Sequence, residues 1–335
     1  MPEANSSSQD ALQEIYHFLN DEIQELNSLI ESYFAEHKEL IWDISWHMIS
    51  SKGKRIRPIL TLLCSKILGY DGLNHIKLAG AVELIHIATL LHDDVIDQGK
   101  TRRSKATANS IWGNKASILC GDFFFSQSFK IMVSTKSLPS LELLSAIAAQ
   151  IVEGEVMQLV NLQKQTLLSK EQYFKTIEHK TAKLFAGACQ VAALIMPRME
   201  QETYLKLNKL GNAFGLAYQI KDDTLDYFAS GTGKNQGQDF LEGKITLPII
   251  LLQEHAGLAE RQFIEDVFTK EANRTTQNFN NILDLLDSYK IKDLLMRSID
   301  ELSKEAQDSL NAINVENKAK DLLLKLVIFF FKDIY

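Results

Sequence analysis

Residues 78–97 read LAGAVELIHIATLLHDDVID. From Leu78 to Leu91 the run is largely apolar, rich in alanine and leucine, and free of proline. It is too long for a buried strand and predicts a core helix. It then ends on three carboxylates, Asp93, Asp94 and Asp97. Residues i and i+4 share a helix face with Cβ atoms about 5–6 Å apart, so Asp93 and Asp97 point together and repel. Acids near a helix C-terminus also oppose the macrodipole, by about 0.3–1 kcal/mol each. Such a turn calls for a ligand that reverses its sign, and a cation does so.

The same helical style recurs along the chain. ILTLLCSKILG (59–69), LELLSAIAAQIVEGEVMQLV (141–160) and KTAKLFAGACQVAALIM (180–196) are long, apolar and proline-free. Ala182, Ala186, Gly187 and Ala193 leave room for close helix packing. Strand signals are nearly absent and no short repeat is present, so an all-α domain is expected rather than a solenoid. Breaks fall at GYDGLN (69–74), DQGKTRRSKA (97–106), STKSLPS (134–140) and ASGTGKNQGQDFLEGK (229–244), none of them a low-complexity linker. The division expected is a polar N-terminal tail, residues 1–10, followed by one domain over 11–335.

Composition excludes several classes. A net charge of −7 is a poor match to nucleic acid, which needs a basic face. Cys64, Cys120 and Cys189 form no C-x-x-C pair and read as reduced core thiols, hence a cytoplasmic, reducing setting. MPEANSSSQDALQ lacks the basic and apolar segments of a secretory signal. The LVIFFF run at 326–331 is far short of the roughly 20 residues that span a bilayer and is expected in a terminal helix on the body, with peripheral membrane contact left open.

A second copy of the acidic turn sits in YQIKDDTLDY, as Asp222, Asp223 and Asp226. Both copies read D-D-x-x-D. Carboxylate oxygens suit magnesium or calcium, and neither copy has the alternating acids and central glycine of an EF-hand. Magnesium takes one or two carboxylates, keeps water and shares its remaining positions with substrate phosphates. Two acidic helices facing one another would therefore hold a diphosphate through magnesium.

That reading requires anion-binding groups, and the chain carries them. Lys52, Lys54, Arg55 and Arg57 directly precede Pro58, which marks a helix start where an anion is attracted by both dipole and side chains. Lys100, Arg102, Arg103 and Lys105 follow the first acidic turn. Arginine presents a planar fork to phosphate oxygens. Lys234 and Lys244 lie in the glycine-rich stretch after the second turn, and Lys180–Thr181 opens a helix with an ammonium and a hydroxyl.

With GKRIRP, LLHDDVID, TRRSKATAN, HKTAKLF, YQIKDDTLDY and GKNQGQDFLEGKITLP in this order, the chain resembles the trans-type polyprenyl diphosphate synthases of the isoprenoid synthase fold. The resemblance runs from about residue 50 to 250, and its wording is closest to bacterial long-chain enzymes that make quinone side chains. It implies helices around a central cavity, a homodimer, and two or three Mg2+ ions held by Asp93, Asp97 and Asp222, with Asp94, Asp223 and Asp226 in support. It implies that Arg102, Lys180, Thr181, Gln219, Lys234 and Lys244 hold an allylic diphosphate, and that Lys54, Arg57, His75 and Arg103 hold isopentenyl diphosphate without metal. The reaction implied is head-to-tail condensation, with no dedicated side-chain base. His92 is read as structural. Lys221 departs from the family wording, where long-chain enzymes are often apolar, and residues beyond about 255 carry no usable motif.

Product length follows from helix geometry. Residues four or five before Asp93 lie about 6–7.5 Å deeper along the helix. They are Thr89 and Ala88, where short-chain members of the family carry aromatic floors. Small side chains there predict a product of about C35–C50, with a floor deeper on the next helix at Phe124, Phe125 or Met132. The rival readings are a shorter-chain synthase, a metal-dependent histidine–aspartate phosphohydrolase suggested by His86 before HDD, a terpene cyclase, and a non-catalytic partner subunit.

Overall fold

A computed structural model describes residues 3–37, 39–50, 53–102, 105–164, 167–228 and 236–332. Arg103 and Lys234 lie outside the described residues. Helices dominate, as expected. In chain order they are α1 (Glu3–Phe18), α2 (Asn20–Ser32), α3 (Leu40–Ile49), α4 (Ile56–Ile67), α5 (Asn74–Ile96), α6 (Ala108–Trp112), α7 (Asn114–Ser134) and α8 (Leu138–Lys164). There follow α9 (Lys170–Ile177), α10 (Lys183–Leu194), α11 (Gln201–Phe228), α12 (Gln238–Glu242), α13 (Leu247–His255), α14 (Leu258–Thr269), α15 (Thr276–Ser288), α16 (Ile291–Asn311) and α17 (Lys318–Phe330). Strand among the described residues is confined to Thr101–Arg102 paired antiparallel with Lys105–Ala106, just beyond the first acidic turn.

Two helices organise the molecule. α5 packs on α2, α4 and α7, and α11 packs on α10, α13 and α16. One continuous apolar core joins them, from Leu12 to Phe331. Burying each leucine or isoleucine in it contributes about 1.5–3 kcal/mol before entropy is counted. The small residues between α10 and α11 act as expected. A Cβ added at Gly215 would lie 2.6 Å from Ala182 Cα, and one at Gly211 would lie 2.5 Å from Ala186 Cα. On the other side of α10, a Cβ at Gly187 would strike Ile147 of α8. The α11 seam is therefore backbone to backbone, while on the α8 side an isoleucine side chain packs onto the Gly187 backbone.

Two local expectations are refined and a third is met. The segment expected as a tail is helical from Glu3, forming the first turns of α1. α4 begins at Ile56, so Pro58 and Arg57 both lie in its first turn, where a missing N–H leaves no bond unmade. Arg55 precedes the helix in left-handed geometry, φ 42° and ψ 43°. At the other end of the chain, Leu326, Val327, Phe330 and Phe331 are buried, so LVIFFF is part of a terminal helix packed on the body. All three cysteines are free and buried.

Candidate active site

The last turns of α5 and α11 open on one cavity of about 1040 Å³. All six aspartates line it, together with Arg102, Lys180, Thr181, Gln219 and Lys244. The two D-D-x-x-D turns, distant in sequence, thus meet across a single space.

Within each triad the carboxylates divide their work. Asp94 is buried, and Asp94 Oδ1 accepts from Arg102 Nε and Nη2, both at 2.9 Å. Gly99 N and Asn109 Nδ2 donate to the Asp94 carbonyl at 2.9 and 3.0 Å, folding the chain back after α5. Asp223 is buried, accepting from Tyr173 OH at 2.5 Å and Gln219 Nε2 at 2.8 Å. Asp226 accepts from the backbone N–H groups of Gln238 and Asp239, each at 3.1 Å, and so anchors α12. Those three acids hold protein. The carboxylates of Asp93 and Asp97 lie one turn apart at the cavity edge of α5, opposite Asp222 on α11.

Cations are threaded through the acids. Lys244 Nζ reaches across 147 positions of sequence to Asp97 Oδ2 at 3.0 Å, and also meets Glu242 at 2.6 Å. Burial works against its ammonium, yet Asp97 and Glu242 carry its pKa above the ordinary lysine value. Lys180 Nζ donates to Glu155 Oε2 at 2.8 Å and to Gln158 Oε1 at 3.2 Å, both on α8. Thr181 Oγ1 donates to Gln219 Oε1 at 2.8 Å. Lys180 and Thr181 sit on a π-helical turn, Glu178–Ala182, between α9 and α10. Such widened turns redirect side chains and are frequent at functional sites. α8 approaches this turn at Gly154, where a Cβ would lie 2.8 Å from Lys180 N.

Electrostatic crowding marks the same groups. Burial pushes Asp93 up to about 7, with Glu155 and Asp97 adding to the rise and Lys180 and Arg102 opposing it. Burial also pushes Asp223 up to about 7 despite its bonds from Tyr173 and Gln219, because Asp222 and Asp226 add negative charge. Asp226 is raised by burial, and Asp239 well above its usual value by burial and its acidic neighbours. The donor set is therefore all-oxygen and short of positive charge, the chemistry of a hard divalent ion. Among the described residues no three ligating side chains converge tightly enough to chelate an ion alone.

Sequence reasoning misplaced some residues and missed others. His75 lines neither the large cavity nor the smaller one beside it. It lies 18 positions before Asp93 on α5, about 27 Å along the helix, buried against the Tyr70 ring at 5.6 Å. His86, in contrast, lines the large cavity and a second, smaller one beside Lys54 and Arg57. Two turns before Asp93, it shares the face of Thr89, Asp93 and Asp97, a stripe visible in the sequence. It is the single histidine among the described lining residues, which weighs against a histidine–aspartate phosphohydrolase. Glu155, Tyr173 and Arg274 also line the cavity and carried no recognised motif, and Asp239 lines it from within GKNQGQDFLEGKITLP without having been singled out. Glu155 left a readable trace as one of three acids in the mainly apolar run 141–160. His92 turns away toward α7, with Nε2 3.2 Å from the Ile118 carbonyl and 3.5 Å from Asp122. Thr89 lines the cavity, but Ala88 is wholly buried in the core. Phe124 and Met132 are core residues and Phe125 lies beside His92, so none of the three forms a floor of this cavity.

Comparison with known proteins agrees with this arrangement. A family model described as Polyprenyl synthetase matches residues 38–286. An octaprenyl diphosphate synthase of Haemophilus influenzae is 34% identical over 320 residues, covering 94% of this chain and 95% of the relative. The crystal structure of a decaprenyl diphosphate synthase from Rhodobacter capsulatus superposes with a TM-score of 0.90 at 34% identity, covering 97% of this chain and 99% of that one. A polyprenyl synthase from Caulobacter crescentus, complexed with calcium and isoprenyl diphosphate, gives a TM-score of 0.90 at 34% identity, covering 97% and 98%. Helical architecture, paired acidic turns and these likenesses converge: the chain belongs to the polyprenyl synthetase family, trans-prenyltransferases with the isoprenoid synthase fold.

Proposed function

We propose that the protein condenses isopentenyl diphosphate head-to-tail onto an allylic diphosphate such as farnesyl or geranylgeranyl diphosphate, giving an all-trans product of about C35–C50 for a quinone side chain. The observation that carries this reading is the pair of acidic turns facing one cavity, with cations from three separate segments between them. The similarity to octaprenyl and decaprenyl synthases supports the long product.

Two or three magnesium ions are assigned to Asp93, Asp97 and Asp222; when bound, they would neutralise the departing diphosphate and ease its release. Arg102, oriented by Asp94, and Lys244, drawn between Asp97 and Glu242, add fixed positive charge where negative charge grows. Lys180 exchanges Glu155 for a diphosphate oxygen. The allylic C–O bond breaks, and its electron pair leaves with the diphosphate. The isopentenyl double bond attacks the allylic carbon, and the proton released passes to a diphosphate oxygen, so no side-chain base is needed. His86, Arg57, Leu90 and Tyr218 wall both cavities, which supports seating a second substrate against the first.

The homodimer has its own support. Ile118, Leu119, Phe129 and Val133 on α7 and Val152, Val156 and Leu159 on α8 are exposed. α8 is long and apolar enough to cross a membrane, but Glu155 and Gln158 on it face the cavity. A second copy is the fitting cover for this apolar face. The free thiols support a cytoplasmic setting. Incubating the purified chain with farnesyl and isopentenyl diphosphates and Mg2+, then sizing the products, tests the function. Products that stop at C15 or C20 would overturn the long-chain reading, and no condensation at all would overturn the reaction.

A further inference from the structure

The C-terminal end of the chain carried no motif, yet it backs the smaller cavity. Lys54 and Arg57 line that cavity with His86, Phe185 and Tyr218. Each of the two cations rests on an aromatic face. Arg57 Cζ lies 4.1 Å from the Phe185 ring centre, and Lys54 Nζ lies 5.0 Å from that of Phe330, in the last turn of α17. Phe330 stacks on Tyr218 with centres 5.6 Å apart and planes at 17°, and Tyr218 meets Phe185 at 5.2 Å. The two cation seats are thus one aromatic assembly. Phe330 is in turn fixed by Lys221, whose Nζ donates to the Phe330 carbonyl at 2.5 Å and sits 4.9 Å from its ring centre. Lys221 is buried on α11, between Tyr218 and the second acidic turn. From the N-terminal side, Tyr16 OH donates to the Lys54 carbonyl at 2.9 Å, so backbone and ammonium of Lys54 are both held.

We propose that Phe330 is a positioning residue for the metal-free diphosphate pocket: its ring seats the Lys54 ammonium there, and Lys221 holds the ring in place. A free lysine side chain loses about 2 kcal/mol of rotamer entropy when it is fixed. A ring that fixes it beforehand removes part of that loss from the binding step. The ammonium keeps its three donors for phosphate oxygens, because a π face uses none of them as a directed hydrogen bond. This inference rests on the assignment of isopentenyl diphosphate to the Lys54–Arg57 pocket. It also gives Lys221, a departure from the family wording, a specific task.

The test uses the full chain with Phe330→Leu, Phe330→Tyr and Lys221→Met. Isopentenyl diphosphate binding is first measured by titration calorimetry in EDTA, where the metal-dependent site is silent. Phe330→Leu is expected to weaken that binding about three- to tenfold, up to about 1.4 kcal/mol, and Phe330→Tyr to restore it. Lys221→Met should shift it in the same direction. In turnover, the KM for isopentenyl diphosphate should rise by a similar factor while the KM for farnesyl diphosphate stays within twofold. Unchanged affinity in Phe330→Leu, or equal loss for both substrates, would overturn the inference, since a purely structural residue gives no such split. Wild-type protein that binds isopentenyl diphosphate in EDTA but makes no product would overturn the proposed reaction and leave the binding comparison to decide this one. Absence of wild-type binding in EDTA, with product still formed in Mg2+, would overturn this inference and leave the reaction standing.

Discussion

Replacing Gly215 by alanine should disable the site without unfolding the protein. The new Cβ would lie 2.6 Å from Ala182 Cα and 3.0 Å from both Ala182 Cβ and a Phe185 ring carbon. Ordinary contact begins near 3.4 Å, so α10 and α11 must part by roughly 1 Å, with a stability loss of about 1–3 kcal/mol from overpacking. Native stability is typically about 5–15 kcal/mol, so the variant remains folded at 25 °C. The seam carries Lys180 and Thr181 on one side and Gln219 and Asp222 on the other, joined by the 2.8 Å Thr181–Gln219 bond. Misplacing catalytic groups by 1 Å lowers rates by about 10²-fold. The assay is steady-state condensation of isopentenyl and farnesyl diphosphates at saturating Mg2+, alongside circular dichroism and thermal unfolding. Gly80→Ala is the control, because its Cβ would meet only leucine and isoleucine side chains at 3.4 Å or beyond. The control should keep wild-type activity and gain stability from helix propensity. A folded Gly215→Ala protein with kcat within threefold of wild type would refute the claim that this seam sets the geometry.

The remaining predictions concern charge and product. Asp93 and Asp223 have folded pKa values raised to about 7, so their ionisation opposes folding in the metal-free protein. Metal-free stability should therefore fall as pH rises from about 4 through 7 and level off above it, by a few kcal/mol at most, and Mg2+ with pyrophosphate should reverse the trend. A rise in metal-free stability across that window, read by chemical denaturation, would contradict the crowding described. Thr89→Phe places an aromatic ring on the cavity wall and should shorten the product; unchanged products by reversed-phase chromatography would show that Thr89 does not border the growing chain.

The helices, the triads and most of the cations were legible because periodicity and local charge are written in the sequence. What escaped was set by tertiary contact. His75 and His86 both lie on α5, roughly three turns and about 16 Å apart along it, and that distance along the axis separates a buried packing histidine from a cavity residue. Glu155 and Tyr173 gain meaning only because α8 and α9 bring them to Lys180 and Asp223. The division of the aspartates into holders and cavity donors depended on Arg102, Tyr173 and the α12 amides, each eight or more positions from its carboxylate. Ala88 was placed by rise per residue alone, which ignores the turn per residue that carries it into the core.

The central claim is that Asp93 and Asp222 act on one diphosphate from opposite helices. The most direct test is Mg2+-dependent binding of farnesyl S-thiolodiphosphate, an unreactive allylic analogue, to wild type, Asp93→Asn, Asp222→Asn and the double variant. The account predicts that each single change lowers affinity by at least about tenfold, and that the double variant loses clearly less than the product of the two, because both serve one ligand. Wild-type affinity in either single variant, or strictly multiplicative losses, would contradict it.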